Sequence, residues 1–500
     1  MINQLAIFNT DGYKVSHIDQ IPDNIIGIFS NLVARKSRVS GSNHIVVPPI
    51  KHILQDIEKE FLTWADQFAI STYTNVYETL FASSPSSKHL RKIQALADFL
   101  VTNRRLPVYI WTPNPGSIIP IGYPLMLIYS EHPFEWFGQR LETILSTNMW
   151  QTFTNATTAM NIRKILNFYG KMTSLESDFI NYQAHDFSMR GHTSSQSAMY
   201  QGIAHLLFFN GTDTLSSVLK IHESYDVSIK GVTVPATEHA VMCIGTAETG
   251  EIETYRRLLN TYTTGIVSIV SDTYDYFKLI NEGLRHLKNE ILARNGKVVI
   301  RPDSGNPENI ICGDPSAEEG SPEWLGSIRI LDDIFGSALN AKGYKELNPK
   351  IGLIYGDSMT PKSINSILRR LASMGYASSN VVFGIGSYTY QYVSRDTYSM
   401  AFKAVGYVKS RLLVREGLKM DESLSLIGNV YNILKTPKTD PDKRSIAGVK
   451  IGKHIDGNYV LYEPTSIGDL LRCGWSYAYS PTVGAVNKDW EDIKFSLTRV

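Results

Sequence analysis

Cysteine is scarce in this chain of 500 residues: Cys243, Cys312 and Cys473 stand far apart and are odd in number. They form no CxxC pair, so neither a disulfide framework nor a zinc knuckle is indicated, and a reducing compartment fits best. Charge of one sign is missing too. Lysine plus arginine total 49 and aspartate plus glutamate 48, leaving +1. A protein whose main task is coating nucleic acid carries a strong basic excess. The longest apolar stretch, Ile118 to Tyr129, is broken by Pro120, Gly122 and Pro124, well short of the roughly 20 residues that span a bilayer. The opening MINQLAIFNTDGYK has no basic start before an apolar run, so no signal peptide is read. Walker A, HExxH and kinase signatures are absent, and Gly384–Ile385–Gly386 lacks the third glycine of a dinucleotide fingerprint. What is present is apolar material, 43% of residues, enough for more than one core. The expectation is a soluble, cytoplasmic, globular protein with no membrane or nucleic-acid partner.

Residues 1–150 read as a mixture of helices and short strands. Ile50, Ile53, Leu54, Ile57 and Phe61 recur at helical spacing, which predicts an amphipathic helix from Ile50 to Trp64. Leu106 to Tyr129 reads as strands separated by Pro–Gly turns. Between 180 and 400 the pattern changes to short β-branched runs, each ending in small or charged residues. Ile266–Val270 leads to Ser271–Asp272, Val298–Ile300 to Arg301–Pro302–Asp303, Ile351–Tyr355 to Gly356–Asp357, and Val381–Phe383 to Gly384–Ile385–Gly386. A helix is predicted from Thr360–Pro361 through Ile364, Ile367, Leu368 and Leu371 to a stop at Gly375. Continuous apolar runs suit buried parallel strands. Functional groups gathered just past strand ends suit an α/β barrel or a doubly wound sheet, and the repeated alternation favours the barrel. Over 401–500 short strands return, at Ala404–Val408, Val449–Ile451 and Tyr459–Tyr462, around a basic Pro-rich loop from Lys435 to Gly448.

Arg301 and Asp303 put a cation and a carboxylate two residues apart on a stiff turn. A guanidinium fork suits phosphate oxygens, and an aspartate at a strand end suits sugar hydroxyls or a magnesium shell. Gly356–Asp357 repeats the arrangement with a glycine that admits a ligand to the backbone. Arg190, Arg395, Lys403, Lys435 and Lys443 add cations. This inventory fits a ligand with several phosphates and a sugar.

Nine blocks in order carry a resemblance over nearly the whole chain. They are residues 11–17 (DGYKVSH), 185–191 (HDFSMRG), 211–214 (GTDT), 235–239 (PATEH), 270–272 (VSD), 301–307 (RPDSGNP), 356–357 (GD), 394–396 (SRD) and 440–445 (DPDKRS). The chain resembles the nicotinamide phosphoribosyltransferases of the type II phosphoribosyltransferase family. That resemblance implies an irregular α/β barrel over 180–400 that carries the active site. It also implies a β-rich domain formed by both chain ends, 1–150 and 401–500. It further implies a head-to-tail homodimer with shared active sites. The implied reaction, in NAD salvage, joins nicotinamide to 5-phosphoribosyl 1-pyrophosphate and yields nicotinamide mononucleotide and pyrophosphate.

By the same resemblance Phe187 and Tyr13 of the partner subunit sandwich the pyridine ring, and Asp213 reads the amide. A carboxylate there accepts from an amide N–H and repels the acid form of the substrate. Arg190 contacts the amide oxygen or the ribosyl phosphate. Arg301, Asp303, Gly356 and Asp357 hold ribose and pyrophosphate. Gly386, Ser387, Arg395, Lys403, Lys435 and Lys443, with the partner subunit's Arg35, hold phosphate. His239 is expected to be phosphorylated by ATP, with Glu238 and Asp272 orienting its imidazole. Magnesium is expected to arrive mainly on the pyrophosphate, without dedicated protein ligands. The sequence departs from the family's glycine-rich and serine positions at Ser387, Tyr388 and Ala401. The rival functions are a nicotinate phosphoribosyltransferase and an inactive ligand-binding dimer of the same fold.

Overall fold

The computed structural model describes residues 5–175, 178–228, 231–356, 358–409, 430–439, 446, 448–455, 458–486 and 490–498. The chain forms two compact units: Met1–Thr157 with Ser394–Ile493, and Thr158–Val393 with Lys494–Val500. The division at 157/158 falls inside a 37-residue helix, Phe137–Thr173.

The first unit, built from both chain ends, is organised on a seven-stranded sheet. Its order is Tyr431–Asn432, Met400–Lys409, Ile25–Ala34, Pro124–Glu131, Tyr109–Pro113, Trp475–Ser480 and Gly484–Ala485. Every pairing in it is antiparallel. The core on this sheet gathers Phe29, Trp111, Leu127, Val405, Val408 and Trp475, so strands from the two ends of the chain share one apolar layer. The predicted amphipathic helix is Lys51–Asp66, with Ile53, Leu54, Ile57, Phe61 and Trp64 buried.

The second unit carries a six-stranded, all-parallel sheet. Its order is Gly211–Thr212, Ala184–Asp186, Val381–Ile385, Ile351–Tyr355, Asn295–Arg301 and Thr264–Val270. Val267, Ile269, Val298, Ile300, Leu353, Val381, Phe383 and Ile385 are buried, as expected of strands covered on both faces. Helices return the chain between strands. The one expected from Thr360 is Pro361–Ser373: the Thr360 side chain accepts from the Ser363 N–H in a capping box and Pro361 sits in the first turn. Gly375, at φ +81°, follows its end.

The two edges of this sheet are joined by a segment that is not itself a strand. Val232 bridges Gly211 and Ala236 bridges Ser268, both in parallel sense. Two hydrogen bonds cross the first edge (Thr212 N–H to Val232 O, Val232 N–H to Asn210 O). Two more cross the second (Thr237 N–H to Ser268 O, Ser268 N–H to Pro235 O). Pro235 and the absence of a regular ladder explain why the closure is irregular. The expected irregular α/β barrel therefore has six regular staves and one improvised one.

Candidate active site

Because all six strands run the same way, their C-terminal ends lie along one edge of the sheet, and the residues that follow them converge. A cavity of about 890 Å³ opens there. Its walls include Phe187, Arg190, Asp213, Glu238, Arg301, Asp303, Gly356, Gly386 and Ser387, all within the second unit. Tyr388, one of the departures, is also in the wall and half exposed, stacked on Tyr392.

At one side stands Phe187, whose N–H donates to the Ile385 carbonyl at 2.9 Å. Its ring lies directly on Gly384: a Cβ there would come within 2.6 Å of Phe187 Cδ2. The Arg301 guanidinium carbon is 5.9 Å from the Phe187 ring centre, in cation–π range. Beside this pair lies Asp213. Its Oδ1 accepts from His185 Nε2–H at 2.9 Å and from the Thr233 hydroxyl. Burial pushes the Asp213 carboxyl up, but the donors His185 and Thr233 and the charge of Arg301 outweigh it and hold the group below its ordinary value.

The Phe187 and Asp213 turns are tied together from beneath by Asp186, which is fully buried. Its carboxylate accepts from the Ser188 N–H at 2.9 Å, the Ser188 hydroxyl at 2.6 Å, Thr212 Oγ1 at 3.1 Å and Thr214 Oγ1 at 2.8 Å. Its carbonyl accepts from the Asp213 N–H at 2.9 Å. Four donors from two loops converge on one carboxylate, which is how a buried charge is accommodated.

Across the cavity edge, His239 opens the helix His239–Thr249. Its Nε2–H donates to Asp272 Oδ1 at 3.2 Å. The other oxygen of Asp272 accepts from the Asp303 N–H at 2.9 Å and Ser304 Oγ at 2.6 Å. Burial pushes Asp272 up; Ser304, the Asp303 amide and His239 bring it below its ordinary value. Of the two carboxylates expected at His239, Asp272 is the one in contact. Glu238 is the residue before the helix, exposed and without a capping hydrogen bond from its side chain. Glu238 lines the cavity.

The remaining cations lie in the first unit. Arg35 Nε donates to the Ser399 carbonyl at 3.2 Å. Burial pushes the Lys403 ammonium down, and the charges of Lys435, Arg35 and Arg395 push it further, against the pull of Glu142. Arg35, Arg395 and Lys435 thus lie near enough to Lys403 for their charges to act on it. Tyr13 belongs to this unit as well and is exposed. Asp357 and Lys443 lie outside the described residues.

His185, Thr233, Asp186, Thr237 and Ser304 were not singled out from the sequence for any role. His185 is 28 positions from its partner Asp213, and only the pairing of their strands brings them together. A further histidine, His205, is buried beneath the strand ends: Nε2–H donates to the Gly211 carbonyl at 2.9 Å and Nδ1 accepts from Tyr390 at 2.7 Å. Burial pushes it from 6.5 down to about 4. The unfolded chain therefore takes up this proton at a higher pH than the folded one. The stability it contributes is complete above pH 6.5 and is lost as pH falls toward 4, by roughly 3 kcal/mol at most. Urea midpoints at pH 7 and pH 5 should show the loss, and His205→Gln should flatten the pH dependence.

Comparison with known proteins follows the same lines. The model of the "Nicotinate phosphoribosyltransferase (NAPRTase) family" matches residues 182–461. A nicotinamide phosphoribosyltransferase of Acinetobacter baylyi is 39% identical over 413 residues, 79% of this chain and 80% of that protein. One of Mycoplasma pneumoniae is 33% identical over 451 residues, 88% of this chain and 93% of its own. Among solved structures, nicotinate-nucleotide pyrophosphorylase from Pyrococcus furiosus matches 100% of this chain and 96% of its own. Its TM-score is 0.52 at 12% identity, a likeness of fold.

Proposed function

The chain belongs to the nicotinate phosphoribosyltransferase family, and from that premise we propose that it joins nicotinamide to 5-phosphoribosyl 1-pyrophosphate, releasing nicotinamide mononucleotide and pyrophosphate in NAD salvage. The observation that carries the choice of substrate is Asp213. It is held as a carboxylate by His185 and Thr233 in the cavity wall beside Phe187. A carboxylate only accepts hydrogen bonds, so it matches an amide N–H and repels the anion of nicotinic acid. Relatives named nicotinamide phosphoribosyltransferase support the same choice.

The pyridine nitrogen has a free lone pair. It attacks the anomeric carbon while the bond from that carbon to the pyrophosphate oxygen breaks, so no general base is required. The protein's part is to orient the ring on Phe187 and to place positive charge where the pyrophosphate gathers negative charge. Arg301 and Arg190 supply it from the cavity wall, with Asp303 and the backbone at Gly356, Gly386 and Ser387 near the sugar and phosphates. In a head-to-tail homodimer, the partner subunit's Tyr13 and the partner subunit's Arg35 are the groups to complete the site, with Arg395, Lys403 and Lys435 holding phosphate. Among the described residues no three His, Cys, Asp or Glu side chains group as a metal cage. Magnesium, expected to arrive with the pyrophosphate, would neutralise charge on the leaving group, with Asp303 a carboxylate in the cavity wall that could meet it. His239 bonds Asp272 through Nε2, which leaves Nδ1 to receive a phosphoryl group from ATP.

Purified protein supplied with phosphoribosyl pyrophosphate and magnesium should use nicotinamide over nicotinate by about 100-fold or more in kcat/KM. Added ATP should be hydrolysed in step, and that coupling should vanish in His239→Ala. A preference for nicotinate overturns the substrate; full ATPase in His239→Ala overturns the phosphohistidine.

A further inference from the structure

Both hydrogen bonds that hold the Asp213 side chain end on the same oxygen. His185 Nε2–H and the Thr233 hydroxyl both donate to Oδ1. The two donors come from opposite neighbours of the Gly211–Thr212 strand. His185 is on the adjacent strand Ala184–Asp186, in register with Gly211, and Thr233 is on the bridging segment, next to Val232. Asp213 sits just past the strand between them, gripped from both sides at one atom. Oδ2 accepts from no donor among the described residues, and Asp213 is 41% exposed in the wall of the cavity.

The proton inventory follows. A carboxylate offers no hydrogen, so His185 must carry its proton on Nε2, in either of its charge states. Its ring also leans on Phe187, with centroids 4.7 Å apart at 45°. One imidazole therefore touches both the ring on which the pyridine is to stack and the carboxylate that is to read its substituent.

We propose that His185 and Thr233 are positioning residues for Asp213: together they fix Oδ1 and so present Oδ2 alone to the amide N–H of the substrate. This rests on the nicotinamide reading above and deepens it. Without the two donors, an aspartate has a free χ2 and two equivalent oxygens, and the spacing between Phe187 and the acceptor is no longer set. The groups that face Asp213 are His185 from one strand, the Thr233 hydroxyl from the bridging segment and Arg301 from the Asn295–Arg301 strand. Loss of either donor lets the carboxyl rise toward its ordinary value, since burial then acts with less opposition.

The test uses His185→Phe, which keeps a ring against Phe187 but donates nothing, and Thr233→Val, which removes only a hydroxyl. His185→Gln and Thr233→Ser restore a donor. Expected in the first pair is a fall of about tenfold or more in kcat/KM for nicotinamide, the worth of one hydrogen bond to a charge. The fall should come with a smaller nicotinamide-to-nicotinate ratio and an acid limb of the pH profile displaced to higher pH. The His185→Gln and Thr233→Ser variants should recover all three. A merely structural loss lowers both substrates alike and leaves the acid limb where it was; that result in His185→Phe and Thr233→Val overturns the proposal. Should His185→Phe not fold, Thr233→Val decides. Wild type that fails to use nicotinamide sinks the underlying substrate reading instead, and is told apart by the wild-type assay alone.

Discussion

Arg301→Leu should lower kcat/KM for mononucleotide formation by roughly a hundred- to a thousandfold, the usual cost of deleting one transition-state donor. The guanidinium sits in the cavity wall with its Nε buried and without a hydrogen-bond partner among the described residues. Nη2 donates to the Thr237 carbonyl at 2.8 Å, which aims the group. No hydrogen bond of the rest of its donor fork is found among the described residues, so on the proposed reading it is available to the departing pyrophosphate. Leucine keeps the apolar contact with Phe187 and removes the charge, so turnover should suffer more than the fold. Lysine should recover little, because a point charge lacks the planar fork. Steady-state kinetics with circular dichroism as a control for folding decide the matter. Activity within tenfold of wild type would show that the phosphates are held elsewhere.

Asp186→Ala should be the most destabilising single change near the site, by about 4 kcal/mol or more, since four donors lose their acceptor at about 1 kcal/mol or more apiece. They are the Ser188 amide and hydroxyl and the hydroxyls of Thr212 and Thr214. All lie in a part of the unit closed to solvent, so water cannot easily replace the carboxylate. Asp186→Asn keeps the shape but turns an NH2 toward hydroxyl donors, and should lie between the two. Urea unfolding of the full chain measures both. A loss under 1 kcal/mol in the alanine variant would mean that the two loops are held by something other than this hub.

The strands that carry the site were legible because parallel strands buried on both faces leave unbroken apolar runs. Two of these runs stop at residues that line the cavity, Arg301 and Gly356. The helix Pro361–Ser373 was legible from its cap and stripe. The 37-residue helix Phe137–Thr173 was not, because burial continues around most of its circumference. Gln151, Thr152, Asn155 and Arg163 are as hidden as Leu145, Phe153 and Ile162, and no polar face marks the period. The strand Ile25–Ala34 is buried throughout, yet Gly27, Ser30 and Asn31 interrupt its apolar pattern. In the site, Phe187, Asp213, Arg301, Asp303 and Gly386 were named from motifs and do meet in one cavity. The residues that hold them were invisible for a different reason. Thr212, Thr214 and Thr233 are ordinary threonines until sheet pairing gives them a carboxylate to bond. Likewise the gathering of Arg35 with Lys403 depends on the antiparallel pairing of Ile25–Ala34 with Met400–Lys409, across most of the chain's length.

The improvised stave between Val232 and Thr237 has an evolutionary corollary. Within six consecutive positions it anchors to both sheet edges, supplies the Thr233 hydroxyl to Asp213, offers the Thr237 carbonyl to Arg301 and runs straight into Glu238 and His239. A single inserted or deleted residue there would shift the supports of Asp213 and of Arg301 together. Descendants of this enzyme can lengthen most surface loops freely, but this stretch can change only by substitution, one side chain at a time.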